Sequence, residues 1–328
     1  MDRRKFIALF ANGMAWPLDG WAQRPAVPVV GVLLSVPSSS VPNGLMAFHQ
    51  GLKETGFTVG QNILIEYRGG EGNYDQLSTL AADLVHSKVD VIVTIFGVPA
   101  ALAAKAATTT IPIVFMIGGD PIQVGLVASL GRPGGNATGY ATLAMVGGKQ
   151  WEVLFEIVPN AAKSGYGILV NPTHPTTELF VKNLRVDADK RGHRLIIANA
   201  RSEVDFEGAF ALLVEHGARA LIIMDEPLFN VSVDQLAALA IRYSIPAVAG
   251  SRRFAASGGL VSYGSPITLE LYRFVGNYAG RILHGENPAD LPVQQPTKFQ
   301  LVINLKTAKV LGLTIPPTLF ARADEVLE

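Results

Sequence analysis

From residue 29 onward the chain alternates strand and helix signals with few breaks, and that alternation limits it to an α/β architecture. Residues 29–34 form a continuous apolar run, the mark of a strand buried on both faces. Leu45, Phe48 and Leu52 follow at helical spacing, and Gly56 stands where a helix would stop. The pattern continues with a strand at 63–67 and a helical stripe of Leu77, Leu80, Ala81, Leu84 and Val85. A strand at 89–96, a helix at 99–107 that opens on Pro99, and a strand at 111–117 complete the first series. Repeated βαβ units predict a parallel sheet with helices on both faces.

A turn at 131–136, rich in Gly and Pro, ends the first series and the pattern restarts. Helices are predicted at 151–158, 177–191, 206–216 and from Ser232 to Tyr243, with strands at 166–170, 195–198 and 220–224. Ser232 to Gln235 reads as a capping box. The tail adds a strand at 260–262, a helix at 267–283, a strand at 299–303 and a short helix stopping at Gly312. Two series of similar length predict two Rossmann-like lobes with parallel sheets joined by a hinge. The expected division is 27–140 plus 259–289 for the first lobe and 141–258 plus 290–328 for the second.

Ahead of the first strand stands a segment of a different kind. Asp2-Arg3-Arg4-Lys5 precedes an apolar stretch from Phe6 to about Leu18, and Gly20-Trp21-Ala22 supplies small residues before a cut at Ala22–Gln23. This is the grammar of a signal peptide, and the run is too short to span a bilayer. Arg3-Arg4 followed by Phe6-Ile7 also fits a twin-arginine export signal, although Asp2 and Ala8 depart from it, so the general secretory route stays open. The expected location is the periplasm.

Composition excludes several functions. Residues 1–22 hold three basic and two acidic residues, so the remainder of the 27 and 27 carries 24 basic and 25 acidic ones. With no basic block, nucleic-acid binding has no electrostatic footprint. The absence of cysteine excludes disulfides, a thiolate nucleophile and Cys-ligated metal. The six histidines are scattered without metal-ligand spacing, and neither metal nor cofactor is expected. Nucleophile-elbow, zincin, P-loop and dinucleotide motifs are all missing.

In open parallel sheets ligands sit at the carboxyl ends of strands. The loops in that position hold Ser35, Phe96-Gly97-Val98-Pro99, Gly118-Gly119-Asp120-Pro121, Asn171, Asp225-Glu226 and Tyr263. Gly97 to Ala101 passes from strand to helix, where backbone amides lack intrahelical partners and favour a carboxylate. Asp120 is the first candidate for a ligand ammonium group, with Asp225 and Glu226 in reserve from the other lobe. The candidate ligand-binding set is thus Ser35, Gly97, Pro99, Ala100, Asp120, Asn171, Glu226 and Tyr263. The same residue types also cap helices and shape turns, and Asp120 is equally a cap for a helix at 123–130.

Longer motifs point to a family. Gly97-Val98-Pro99-Ala100-Ala101-Leu102-Ala103-Ala104-Lys105, the run from Thr108 to Phe115, Gly119-Asp120-Pro121 and Gly125-Leu126-Val127-Ala128-Ser129-Leu130 lead into Arg132-Pro133-Gly134-Gly135-Asn136. With Asp290-Leu291-Pro292-Val293-Gln294-Gln295-Pro296-Thr297-Lys298-Phe299 and Val302 to Ala308, they resemble a large family of bacterial ABC-transporter substrate-binding proteins. The resemblance covers roughly residues 27–328. It implies the type 1 periplasmic binding protein fold, with two lobes joined by three crossings. It also implies a small-molecule ligand, an amino acid or aromatic carboxylate, and a membrane permease as partner, with the receptor a monomer. The chain departs from the commoner pattern at Gly97-Val98-Pro99, where relatives often carry Gly-Thr-Pro, and at Ala249 to Arg253, usually more aromatic. The rival reading is an exported enzyme using a carboxylate in the same cleft. A lac-repressor-type regulator, which shares the fold, needs a DNA-binding segment where the export signal stands.

Overall fold

The computed structural model describes residues 27–142, 146–159, 165–296 and 298–328, so the export signal expected at 1–22 lies outside the described residues. Strands β1 (Val29–Leu34), β2 (Leu64–Gly69), β3 (Val91–Ile95), β4 (Ile113–Ile117) and β5 (Ala137–Ala141) form one sheet. Helices α1 (Pro42–Glu54), α2 (Leu77–His86) and α3 (Val98–Ala107) connect the first four strands. The strand order is β2-β1-β3-β4-β5, parallel throughout, with registers such as Val30 against Val91 and Thr94 against Phe115. β1, β3 and β4 are buried along nearly their whole length, as their almost wholly apolar sequences require, with Thr94 on β3 the buried polar exception.

The second lobe runs α4 (Val146–Ile157), β6 (Tyr166–Val170), α5 (Thr177–Lys190), β7 (Leu195–Asn199), α6 (Phe206–Glu215) and β8 (Ala220–Ile223). It continues with α7 (Pro227–Val231), α8 (Val233–Arg242), β9 (Ala247–Ala249), α9 (Arg252–Ala256) and β10 (Val261–Gly264). Helix α10 (Leu269–Leu283) then leaves it. The chain ends on β11 (Gln300–Asn304), α11 (Leu305–Val310), α12 (Pro317–Phe320) and β12 (Glu325–Leu327). The second sheet has the order β12-β11-β10-β9-β8-β6-β7, with β10–β11 its antiparallel pair. Its core is one cluster that includes Trp151, Tyr166, Phe206, Phe210 and Phe254. The first sheet carries a separate cluster on each face, one with α2 and α3 and one with α1 and α10. Two α/β lobes of mostly parallel strands are the expected fold class.

The lobe division differs from the expected one. β10 pairs with β9 and β11, so residues 261–264 belong to the second sheet rather than to the first lobe. Conversely Leu291 and Val293 pack into the cores of the first lobe, and Gln294 bridges to Tyr140 on β5. The chain therefore passes between the sheets after Ala141, after Gly264 and before Gln300. Two local expectations also fail. No helix forms at 123–130, where the chain makes turns instead. Ser232 caps nothing with its side chain, because its hydroxyl donates to Glu203 Oε1 at 2.7 Å.

Helix α10 returns to the first lobe by lying against α1 at backbone contact. A Cβ added at Gly276 would stand 2.1 Å from the Phe48 carbonyl oxygen, and one at Gly51 would stand 1.9 Å from that of Arg273. A side chain at either site has to part the helices. Gly276→Ala is therefore expected to lower the stability of the first lobe by about 1–3 kcal/mol, the usual range for overpacking. Thermal unfolding checks this, and an unchanged midpoint would show that the helices can separate freely.

Candidate ligand-binding cleft

The carboxyl ends of β3 and β4 face those of β6 and β8 across a cavity of about 60 Å³. On the first lobe the wall is the turn from β3 into α3. Phe96 adopts a φ of +66° and Gly97 one of +101°, and both line the cavity. A left-handed Phe costs about 1–2 kcal/mol and needs its surroundings to hold it. Gly97 is the N-cap of α3, and Val98 and Pro99 open the helix. Pro99 has no amide hydrogen, so Val98 and Ala100 carry the unpaired N–H groups of the first turn. Val98 lines the cavity; Pro99 and Ala100 are buried immediately behind it.

On the second lobe the wall is the loop after β8. Asp225 Oδ1 accepts from Asn230 Nδ2 at 2.7 Å, and its other oxygen is 3.1 Å from where a Cβ on Gly250 would lie. Burial pushes its carboxyl up from the ordinary range, opposed in part by the Asn230 hydrogen bond. Glu226, 2% exposed, is the N-cap of α7, and its Oε1 accepts from the Phe229 amide at 2.7 Å. Its Oε2 accepts the Tyr74 hydroxyl from the opposite lobe and lies 3.5 Å from Asn171 Nδ2. Burial raises its carboxyl to about 7. The Tyr74 hydroxyl also accepts from the Leu228 amide at 3.4 Å. His174 stands edge-on to Tyr74, with ring centroids 5.9 Å apart. Burial lowers its pKa to about 3, so the imidazole stays neutral. With Tyr74 bound to Glu226, and Gly97 so near Pro227 that an added Cβ would come within 2.7 Å of its ring, the lobes are closed on each other.

Each expected site residue now has a place. Gly97 and Glu226 line the main cavity; Pro99 and Ala100 support it; Asn171 steadies Glu226. Asp120 Oδ1 accepts from the Ile122 and Gln123 amides at 2.8 and 3.3 Å, closing a turn where no helix forms, and it lines an adjoining cavity. Asp225, the reserve candidate, stands at the junction of both cavities. Ser35 is fully buried and lines neither cavity. Tyr263 also lines neither: its ring stacks on Phe299 at 6.1 Å and 14°. Phe229 and Tyr140 are core residues, against Phe206 and Phe274 respectively. Tyr74 and His174 were not among the expected residues.

Closure should respond to pH through Glu226. Exposed to water, this carboxyl titrates near its ordinary 4.5; buried by closure, near 7. Between these values the closed form binds the extra proton, so closure is favoured as pH falls through about 7. Ligand affinity is expected to rise about tenfold from about pH 8 to about pH 6, and to lose that dependence in Glu226→Gln. Calorimetry at the two pH values checks it; a flat or inverted profile in the unsubstituted protein contradicts it.

Two lobes closing on an enclosed cleft define a type 1 periplasmic binding protein. Residues 29–327 match the family described as ABC transporter substrate binding protein, and the chain belongs to it. It is 26% identical over 284 residues, 87% of this chain and 81% of the other, to a tyrosine-binding protein of Clostridioides difficile (strain R20291). Among solved structures it resembles a conserved domain protein from Vibrio cholerae O1 biovar El Tor, with TM-score 0.80 and 28% identity over 92% of this chain and 99% of that one. It also resembles an ABC domain in complex with L-Trp from Streptococcus pneumonia, with TM-score 0.78, 25% identity and the same coverage. The chain is thus a substrate-binding protein, of the kind that serves as solute receptor for an ABC importer.

Proposed function

We propose that this receptor binds an α-amino acid in the periplasm and presents it, closed, to its permease. The observation that carries this is Asp225, a cleft carboxylate that forms no ion pair among the described residues and faces the start of α3 across the cavity. An α-ammonium group pairs with Asp225, while the α-carboxylate meets the Val98 and Ala100 amides and the positive end of the helix. The tyrosine-binding relative and the L-Trp complex support an amino acid as the class. The acidic lining disfavours a carboxylate that lacks the amine.

Receptor action fits better than the enzyme reading. Glu226 has the raised pKa a general acid needs, yet both its oxygens are already held by Phe229 and Tyr74. Export fits the charged and apolar head of the sequence, and no helix among the described residues is long and apolar enough to cross a membrane. The protein acts as a monomer, its moving parts being two lobes of one chain.

Saturating amino acid is expected to make the ligand-free protein more compact in small-angle scattering and to raise its melting temperature, with the ligand recovered unchanged. An equal radius of gyration with and without a bound ligand defeats the closing-receptor reading. Chemical conversion of the ligand restores the enzyme.

A further inference from the structure

The cleft continues past Asp225 into a second compartment of about 150 Å³, between the 118–124 loop of the first lobe and helices α4 and α5 of the second. Gly118 and Asp225 line both spaces, so one ligand can occupy the two. Part of the second wall is apolar, from Val124, Leu179 and Phe180. Its charged residues are all acidic: Asp120, Asp187 and Asp225 line it beside neutral groups such as Gln123 and Asn183, and no Lys or Arg does among the described residues. Among the described residues none of the three carboxylates takes part in an ion pair, although eight such pairs occur elsewhere. Independently, Gln150 on α4 is 1% exposed and lines this compartment. Its Nε2 donates to the Tyr263 carbonyl at 3.0 Å, which fixes Oε1 as an acceptor with no donor among the described residues. An amide oxygen at the wall of the compartment can accept a hydrogen bond from an occupant.

We propose that the second compartment receives a cationic group at the far end of the ligand, so that the solute is a basic amino acid. The inference rests on the α-amino acid reading above. An aliphatic stem lies along Val124, Leu179 and Phe180. The terminal ammonium or guanidinium donates to Asp187 and to Gln150 Oε1. Collected carboxylates with no cation beside them attract such a group and repel a dicarboxylate. The neutral His174 adds no opposing charge.

Calorimetric titration with L-lysine, L-arginine, L-norleucine and L-tyrosine tests this. Norleucine has the stem of lysine without its charge. Lysine or arginine is expected to bind at least about tenfold tighter than norleucine, the size of one charge-assisted hydrogen bond. In Asp187→Asn that preference should largely vanish while norleucine affinity stays unchanged, which also shows that the variant is folded. Norleucine or tyrosine binding as well as or better than both basic amino acids overturns the proposal and leaves the amino acid reading intact. An unchanged preference in Asp187→Asn overturns the role of the second compartment. Failure of all four to bind overturns the reading and the proposal together.

Discussion

Gly97→Val is expected to abolish ligand-driven closure, with affinity falling by at least about a hundredfold, or about 2.7 kcal/mol. Two separate costs act at this position. The φ of +101° is strained for any residue with a Cβ, in the open and the closed form alike. A modest drop in ligand-free melting temperature should therefore accompany the substitution. The second cost arises on closing, because the new Cβ would stand 2.7 Å from Pro227 Cγ on the opposite lobe. The steric term can be isolated with Gly97→Ala and Pro227→Ala, singly and together. Removing the proline ring should return part of the affinity lost in Gly97→Ala, a coupling that strain at Gly97 alone cannot produce. Strict additivity of the two substitutions would assign Gly97 to the β3–α3 turn and remove it from the closing surface.

The sequence alone predicts the fold well and the cleft less well, for reasons visible in particular residues. β1, β3 and β4 are apolar runs broken only by Thr94 on β3, and burial on both faces demands little else of them. β5 is Ala-Thr-Gly-Tyr-Ala, small residues around a glycine, which carry no strand signal until Phe115 and its neighbours on β4 are placed beside it. The sequence pattern places β10 in the first lobe, because β11, its antiparallel partner in the second sheet, lies more than thirty residues along the chain, beyond α10. The carboxylates Asp225 and Glu226 are legible as residues that follow a strand. Nothing local, however, separates Asp225 from Asp120, which stands in the same kind of loop. The difference is tertiary: Ile122 and Gln123 offer Asp120 two backbone amides, whereas Asp225 has one side-chain amide and lines the cleft. Tyr74 is less legible still. It sits in a polar turn, Gly72-Asn73-Tyr74-Asp75, and meets Glu226 only because the lobes close.

That same contrast decides the second large effect. Asp225→Asn is expected to weaken an α-amino acid about ten- to a hundredfold, the loss of a charge-assisted hydrogen bond worth roughly 1.5–3 kcal/mol. The substitution preserves size, and the new amide oxygen can still accept from Asn230, so the loop after β8 should keep its shape. Ligand-free stability should not fall, since a carboxyl whose charged form is disfavoured by burial is being replaced by a neutral group. The corresponding acid without the amine should lose little affinity, because its carboxylate still meets the first turn of α3. Asp120→Asn, by contrast, should leave the affinity for a neutral amino acid nearly unchanged, with any loss appearing in the turn that Asp120 caps. Calorimetry on both variants with an amino acid and its amine-free counterpart separates the two aspartates. Equal losses for the two ligands in Asp225→Asn would make Asp225 a structural group. A larger ammonium-specific loss in Asp120→Asn would return the ammonium site to the first lobe.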